Sequence, residues 1–269
     1  MAAGDVTVFR LAWSGGDTAA LLDALSRMQI AAPRELGLRL AVRSQARQPR
    51  TQPAPLEIDT IGLHWGPREE VEELLAPVER VQAARTRTVQ EMAFPAAREF
   101  LATETPQGTY ALKTGYVRGA LPPAGVVTLL EWVAAMPGVP SRNQESTAAL
   151  YCWGGKVNDL APDANAFVHR GADFLFKCEA LWEATDDPAL IAANLDWLEG
   201  YFAAMQPYFS GGSYQNFTDR GLDDWATAYY GENLPKLVEV KRACVGITIM
   251  HDGATGGVYP PVAQGRPPP

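Results

Sequence analysis

Short apolar runs with two-residue alternation, separated by stretches of helical spacing, decide most of what this chain can fold into. Val6, Val8, Phe9 and Leu11 are strand formers within residues 6–13. Leu36, Leu38, Leu40 and Val42 alternate strictly, as one buried face of a strand does. Residues 56–65 alternate again until Gly66 and Pro67 break the run, and 147–153 and 174–182 read as further strands. Between them stand helical patterns. Leu21, Leu22, Leu25 and Met28 share a face, with Asp17 or Thr18 as N-cap and Pro33 as terminator. Val71, Leu74 and Leu75 share a face in a helix that starts at Glu69. Pro122 and Pro123 precede a helix over 126–135, and Asp186, Asp187 and Pro188 open a long one that runs to Met205. Two short helices are expected over 223–230 and 234–243. Strands interleaved with helices and able to pair antiparallel predict an α+β fold, an antiparallel sheet flanked by helices.

Hydrophobic residues make up 47% of the 269, enough for a sizeable core. The net charge of -8 argues against nucleic acid as a partner, since phosphate binding needs a basic surface. The basic run Arg34, Arg39, Arg43, Arg47 and Arg50 reads as a solvated strand edge and loop. Cys152, Cys178 and Cys244 are odd in number and lack metal spacing, and His64, His169 and His251 are scattered, so neither a disulfide framework nor a metal site is expected. No GxGxxG or P-loop pattern occurs. No apolar run is long enough to span a membrane and the start lacks the marks of a signal peptide, so a cytoplasmic location is the expectation. Trp65, Trp153 and Trp182, at strand ends, read as core aromatics. Asp223, Asp224 and Glu232 read as helix-start acids favoured by the macrodipole.

Two stretches carry a family resemblance. Tyr214, Gln215, Asn216 and Phe217 are followed by Asp219, Trp225, the run Tyr229 to Asn233, Leu237, and Val240 with Lys241. This order resembles the C-terminal signature of berberine bridge enzyme-like FAD-linked oxidases: Y-x-N-Y/F-x-D, a tryptophan, Y-Y-G-x-N, then L-x-x-V/I-K. Upstream, Ala166 to Arg170 resembles the family's A-F-P-H-R, with Val168 in the proline's place, and Lys113 to Val117 resembles K-S-x-Y-V. The family's D-P-x-x-x-F after the lysine helix is replaced here by residues 242–246.

The resemblance implies a substrate-binding α+β domain over 6–210 and a C-terminal segment over 211–243 that packs on an FAD-binding domain; the Gly- and Pro-rich stretch 244–269 is unlike the family and, lacking periodicity, is expected to be an atypical, disordered tail. It implies an FAD-dependent oxidoreductase that takes a hydride from a hydroxyl or amine of a small molecule, with sugars and secondary metabolites both open. The FAD-binding domain is expected to be absent from this chain, so the chain alone is expected to be colourless and inactive. A separately encoded FAD-binding domain is one partner left open; no nucleic-acid or membrane partner is expected. The alternative is a non-catalytic remnant or binding module. Tyr214 is the candidate catalytic residue, a proton acceptor beside the flavin, although a phenol with an ordinary pKa near 10 needs help in that role. Asn216, two residues on and on the same side if the segment is a strand, is the candidate cofactor-binding residue. Lys113 and Tyr116 are candidate substrate-binding residues, with a strand edge as the plain alternative. His169 and Arg170 read as a buried structural pair. Lys177 falls where the family often carries Glu or Gln, and a lysine cannot serve as the same base.

Overall fold

The structure is a computed structural model and describes residues 5–44, 56–102, 109–138 and 147–243. The expected tail over 244–269 and the proline-rich loop after Ser44 lie outside the described residues. In chain order the elements are β1 (Asp5–Ser14), α1 (Thr18–Ala31), β2 (Leu36–Ser44), β3 (Leu56–His64), α2 (Arg68–Val81), β4 (Thr86–Ala93), α3 (Phe94–Leu101), β5 (Thr109–Val117), α4 (Pro123–Ala134), β6 (Thr147–Cys152), β7 (Phe174–Trp182), α5 (Pro188–Met205), α6 (Trp225–Tyr230) and α7 (Leu234–Ala243). The helix starts follow local chemistry. Asp17 caps α1, accepting from Ala20 N at 2.9 Å, and Asp187 caps α5, accepting from Ala189 N at 3.0 Å. Pro188 supplies a preset φ at the first helical position.

The seven strands form one sheet in the order β4-β1-β3-β2-β6-β7-β5, and every neighbouring pair is antiparallel. Alternation divides its residues between two faces. One face carries Phe9, Leu11 and Trp13, the β2 series from Leu36 to Val42, and Phe174, Phe176 and Cys178. It packs against the apolar stripes of α1, α2, α4 and α5, which supply Leu22, Leu25, Val78, Leu129, Trp197 and Tyr201 among others. This is the main core, the expected α+β arrangement.

The opposite face is different. At the β1 end α3 lays Ala97 on Val6 and Val8. At the β5 end Tyr116 and Leu175 gather Tyr151, Trp153, Phe167, Tyr214 and Phe217. Between these clusters the face is charged. Arg39 and Arg43 of β2 both pair with Asp59 of β3, at 3.0 and 2.9 Å.

Two expectations need correction, and two elements were missed. Strand β2 is the central strand of the seven, not an edge, so Arg39 and Arg43 are partly buried sheet residues; Arg47 and Arg50 lie outside the described residues. Trp65 is 49% exposed and leans on Phe94 at 4.9 Å, while Trp13 and Trp197 fill core volume, 1% and 6% exposed. Strand β4 and helix α3 were not read from sequence, because β4 is an exposed edge on which Val89 alone is buried and alternation is erased.

Candidate functional site

The site is built where the segment from Phe209 to Asp219 wraps around the edge strand β5. Four consecutive β5 residues hold it. Tyr116 O accepts from Ser210 N at 2.7 Å, which satisfies an edge carbonyl and covers the open side of the sheet. Gly115 lets the Phe209 ring approach so closely that a Cβ there would lie 2.4 Å from it. Thr114 Oγ1 lies 2.7 Å from Ser213 Oγ and accepts from Tyr214 N at 2.9 Å. Lys113 Nζ is held between Asp219 Oδ2 at 2.9 Å and Glu199 Oε1 at 3.0 Å.

Lys113 and Tyr116 are three apart in a strand and so face opposite sides of the sheet. Lys113, paired across the ladder with Cys178, sits 4% exposed on the helix-covered face, where it clamps the C-terminal segment. Burial works to discharge it, but the hydrogen bonds to Asp219 and Glu199 outweigh burial and hold its pKa above the ordinary lysine value. Tyr116 lies on the other face, 1% exposed and in the same cluster as Tyr214. Burial, and secondarily Tyr214, push its pKa far up, so it stays a neutral phenol. Among the described residues, its hydroxyl and the Trp153 Nε1 are buried donors with no hydrogen-bond partner.

Tyr214 stands in this cluster edge-on to Trp153 at 4.8 Å and to Phe217 at 5.4 Å. Residues 214–217 form a turn rather than a strand, closed by Phe217 N donating to Tyr214 O at 2.9 Å. The turn, not strand alternation, brings Asn216 back: its Nδ2 donates to Tyr214 Oη at 2.9 Å. Beside them on β7, Lys177 Nζ contacts Glu179 Oε1 at 2.7 Å and lies 6.0 Å from the Tyr151 ring and 5.9 Å from the Phe217 ring. Sequence reasoning stopped at Lys177 and missed Glu179. The signal was available: two residues on in a strand is the same face, so the lysine and the carboxylate arrive together.

His169 and Arg170 brace the cluster from behind. The His169 ring stacks on Tyr116 at 4.5 Å and its Nε2 donates to Tyr229 O at 3.0 Å. Arg170 donates to Val157 O at 2.6 Å and lies over Phe167. Burial lowers the His169 pKa against the opposing pull of the carbonyls of Tyr229, Ala228 and Ser213. The unfolded chain therefore binds this proton near the ordinary value of about 6.5 while the folded chain resists it. Stability contributed by neutral His169 is present above that pH and is lost as pH falls through it toward the lower folded value. His169→Gln keeps a donor for Tyr229 O and removes the titration. We expect urea midpoints of the wild type to drop more than those of the variant between about pH 7.5 and about pH 5.5; equal drops would show that His169 does not couple to folding.

Among the described residues no group of three His, Cys, Asp or Glu side chains could hold a metal ion, and no helix is long and apolar enough to cross a membrane. Asp224 stands at the start of α6 without a capping hydrogen bond from its side chain, and Glu232 lies in the first turn of the short helix after it.

Comparison with known proteins gives similarity in a C-terminal motif, in sequence and in fold. Residues 213–244 match the family model "Berberine and berberine like". The FAD-linked oxidoreductase YgaK of Bacillus subtilis is 26% identical over 188 residues, 68% of this chain and 39% of that protein. Aclacinomycin-N/aclacinomycin-A oxidase of Streptomyces galilaeus is 28% identical over 134 residues, 41% of this chain and 24% of the oxidase. Among solved structures, berberine bridge enzyme from Eschscholzia californica superposes with a TM-score of 0.71 at 18% identity, covering 87% of this chain and 51% of that one. The caerulomycin-pathway flavoenzyme CrmK gives 0.73 at 20% identity, covering 88% and 53%. The chain thus spans about half the length of these structures and less of the curated relatives. Signature, relatives and fold agree: this chain is similar to the berberine bridge enzyme-like FAD-linked oxidases, over their substrate-domain fold and C-terminal segment.

Proposed function

We propose that this chain is the substrate-facing part of an FAD-dependent oxidoreductase that oxidises a hydroxyl or amine group of a small molecule or sugar. The observation that carries the reading is the Tyr214–Asn216 hydrogen bond, set in an aromatic cluster beside the Lys177–Glu179 pair on the sheet face that the core helices leave open. The residues present fit the ring system of a flavin. Tyr151, Trp153, Tyr214 and Phe217 offer aromatic surface, and Tyr116 Oη and Trp153 Nε1 are buried donors that suit ring oxygens or nitrogens. Bound flavin supplies the two-electron acceptor for the substrate's hydride.

The chain's own residues do the rest. Tyr214 Oη, as phenolate, takes up the substrate's proton and becomes the neutral phenol. Asn216 Nδ2 fixes that oxygen. The surrounding rings hold the phenol ring in place, edge-on to Trp153 and Phe217. Glu179, held by Lys177, adds a carboxylate to the polar lining on the same face.

The test is to mix the chain with the separately produced FAD-binding domain of a relative, loaded with FAD, and follow amide shifts by NMR. Shifts at Tyr214 to Phe217 and along β7 should move while those of α1 and α4 stay. Movement confined to the helix-covered side would refute the placement.

A further inference from the structure

We propose that Thr114 is the positioning residue of Tyr214: its hydroxyl fixes the backbone that aims the Tyr214 phenol. The proposal takes its interest from the reading of Tyr214 as proton acceptor, but its test reads the tyrosine's placement and needs no activity.

The wrapped segment changes sides of the sheet within a few residues. Phe209 sits on the helix-covered face, 5.2 Å from Phe176 and 5.6 Å from Phe202. Tyr214 sits on the opposite face with Trp153 and Phe217. The outer attachments, Ser210 to Tyr116 and Asp219 to Lys113, lie several residues to either side, and at the crossing itself Ser213 N donates to Ala228 O at 2.8 Å. Thr114 is the β5 residue that reaches the crossing. Its Oγ1 accepts the Tyr214 N–H at 2.9 Å and shares a hydrogen bond with Ser213 Oγ at 2.7 Å. Thr114 is 1% exposed and Ser213 3% exposed, so water cannot take over either bond.

The rest of the geometry makes this contact decisive. Tyr214 O is held by Phe217 N at 2.9 Å, so both backbone groups of Tyr214 are tied, one to the strand and one to its own turn. With the peptide planes on each side fixed, the direction of Cα–Cβ is fixed, and the phenol meets Asn216 Nδ2. Thr114 is β-branched, and its stiff χ1 in a strand keeps the hydroxyl aimed at the crossing. Thr114→Val keeps shape and stiffness and deletes the acceptor. Thr114→Ser keeps the acceptor.

The experiment uses the full chain with 3-fluorotyrosine incorporated, read by fluorine NMR. The Tyr214 resonance is assigned by its loss in Tyr214→Phe, and buried Tyr201 serves as an internal reference. In Thr114→Val the Tyr214 line should shift and broaden while the Tyr201 line stays, and Thr114→Ser should restore the Tyr214 line. A purely structural role for Thr114 would lower thermal stability without moving the Tyr214 line selectively. Hydrogen exchange of the wild type keeps the idea testable if Thr114→Val fails to fold. The Tyr214 amide should exchange about tenfold or more slowly relative to the amides of Gln215 and Asn216. A Thr114→Val line that coincides with wild type, a Thr114→Ser line displaced as far as that of Thr114→Val, or a Tyr214 amide that exchanges as fast as its neighbours would each overturn the proposal. A failed reading of Tyr214 as proton acceptor would show instead in kinetics, with these three results unchanged.

Discussion

A complete, flavin-loaded enzyme carrying Tyr214→Phe is expected to reduce its flavin about a hundredfold to ten-thousandfold more slowly than wild type. That is a barrier increase of about 3 to 5 kcal/mol. Phenylalanine keeps the ring and with it the edge-on contacts to Trp153 and Phe217. The backbone bond to Thr114 does not involve the side chain and also survives. Asn216 loses its acceptor, but it is exposed and water replaces the bond. Fold and flavin binding should therefore persist, and the loss should appear in anaerobic stopped-flow reduction and not in reoxidation by oxygen. A variant that reduces its flavin within about threefold of wild type would make Tyr214 a packing residue, since general-base loss costs far more than that.

The largest expected stability change belongs to Lys113. Lys113→Met keeps most of the apolar stem and removes the charge, whose Nζ lies 5.4 Å from the centre of the Phe202 ring. Its two partners respond differently. Glu199 has a side chain 66% exposed and is rehydrated at little cost, whereas the Asp219 side chain is 10% exposed and is left as a buried carboxylate without its cation. Removing one partner of a buried pair costs about 3 to 5 kcal/mol. Urea unfolding of Lys113→Met should show a loss in that range, and Glu199→Gln should lose at most about 1 kcal/mol, as for exposed pairs. A loss below about 1 kcal/mol for Lys113→Met would mean that Asp219 is solvated and the clamp is not one.

Much of this architecture was legible because its causes are local. Strand β7 was read with its true bounds, since nine residues of apolar and β-forming character stand between clear breakers. Helix α5 was read from its capping aspartate and first-turn proline. Strand order was not legible: nothing within Arg39 or Arg43 tells that β2 is central, because that follows from β6 pairing with it across more than a hundred residues. The site was legible as two motifs and not as one object. Lys113 and Tyr116 belong to a motif that resembles the family's, yet the strand period sends them to opposite faces, one to clamp the segment that carries Tyr214 and one to join its ring cluster. Asn216 reaches Tyr214 through a turn that single-residue spacing does not announce.

The reading of this chain as the substrate-facing part of a flavin oxidoreductase is tested most directly by the colour of the flavin. The chain is joined to the FAD-binding domain of a relative, in trans or as one polypeptide, and purified as a flavin-holding complex. Under anaerobic conditions it is offered sugars, hydroxylated secondary metabolites and amines, and the visible absorbance of oxidised flavin is followed. The expected result is that at least one hydroxyl or amine compound bleaches the flavin, and that Tyr214→Phe slows the bleaching. A complex that holds flavin and is bleached by dithionite, but by none of these compounds, would contradict it.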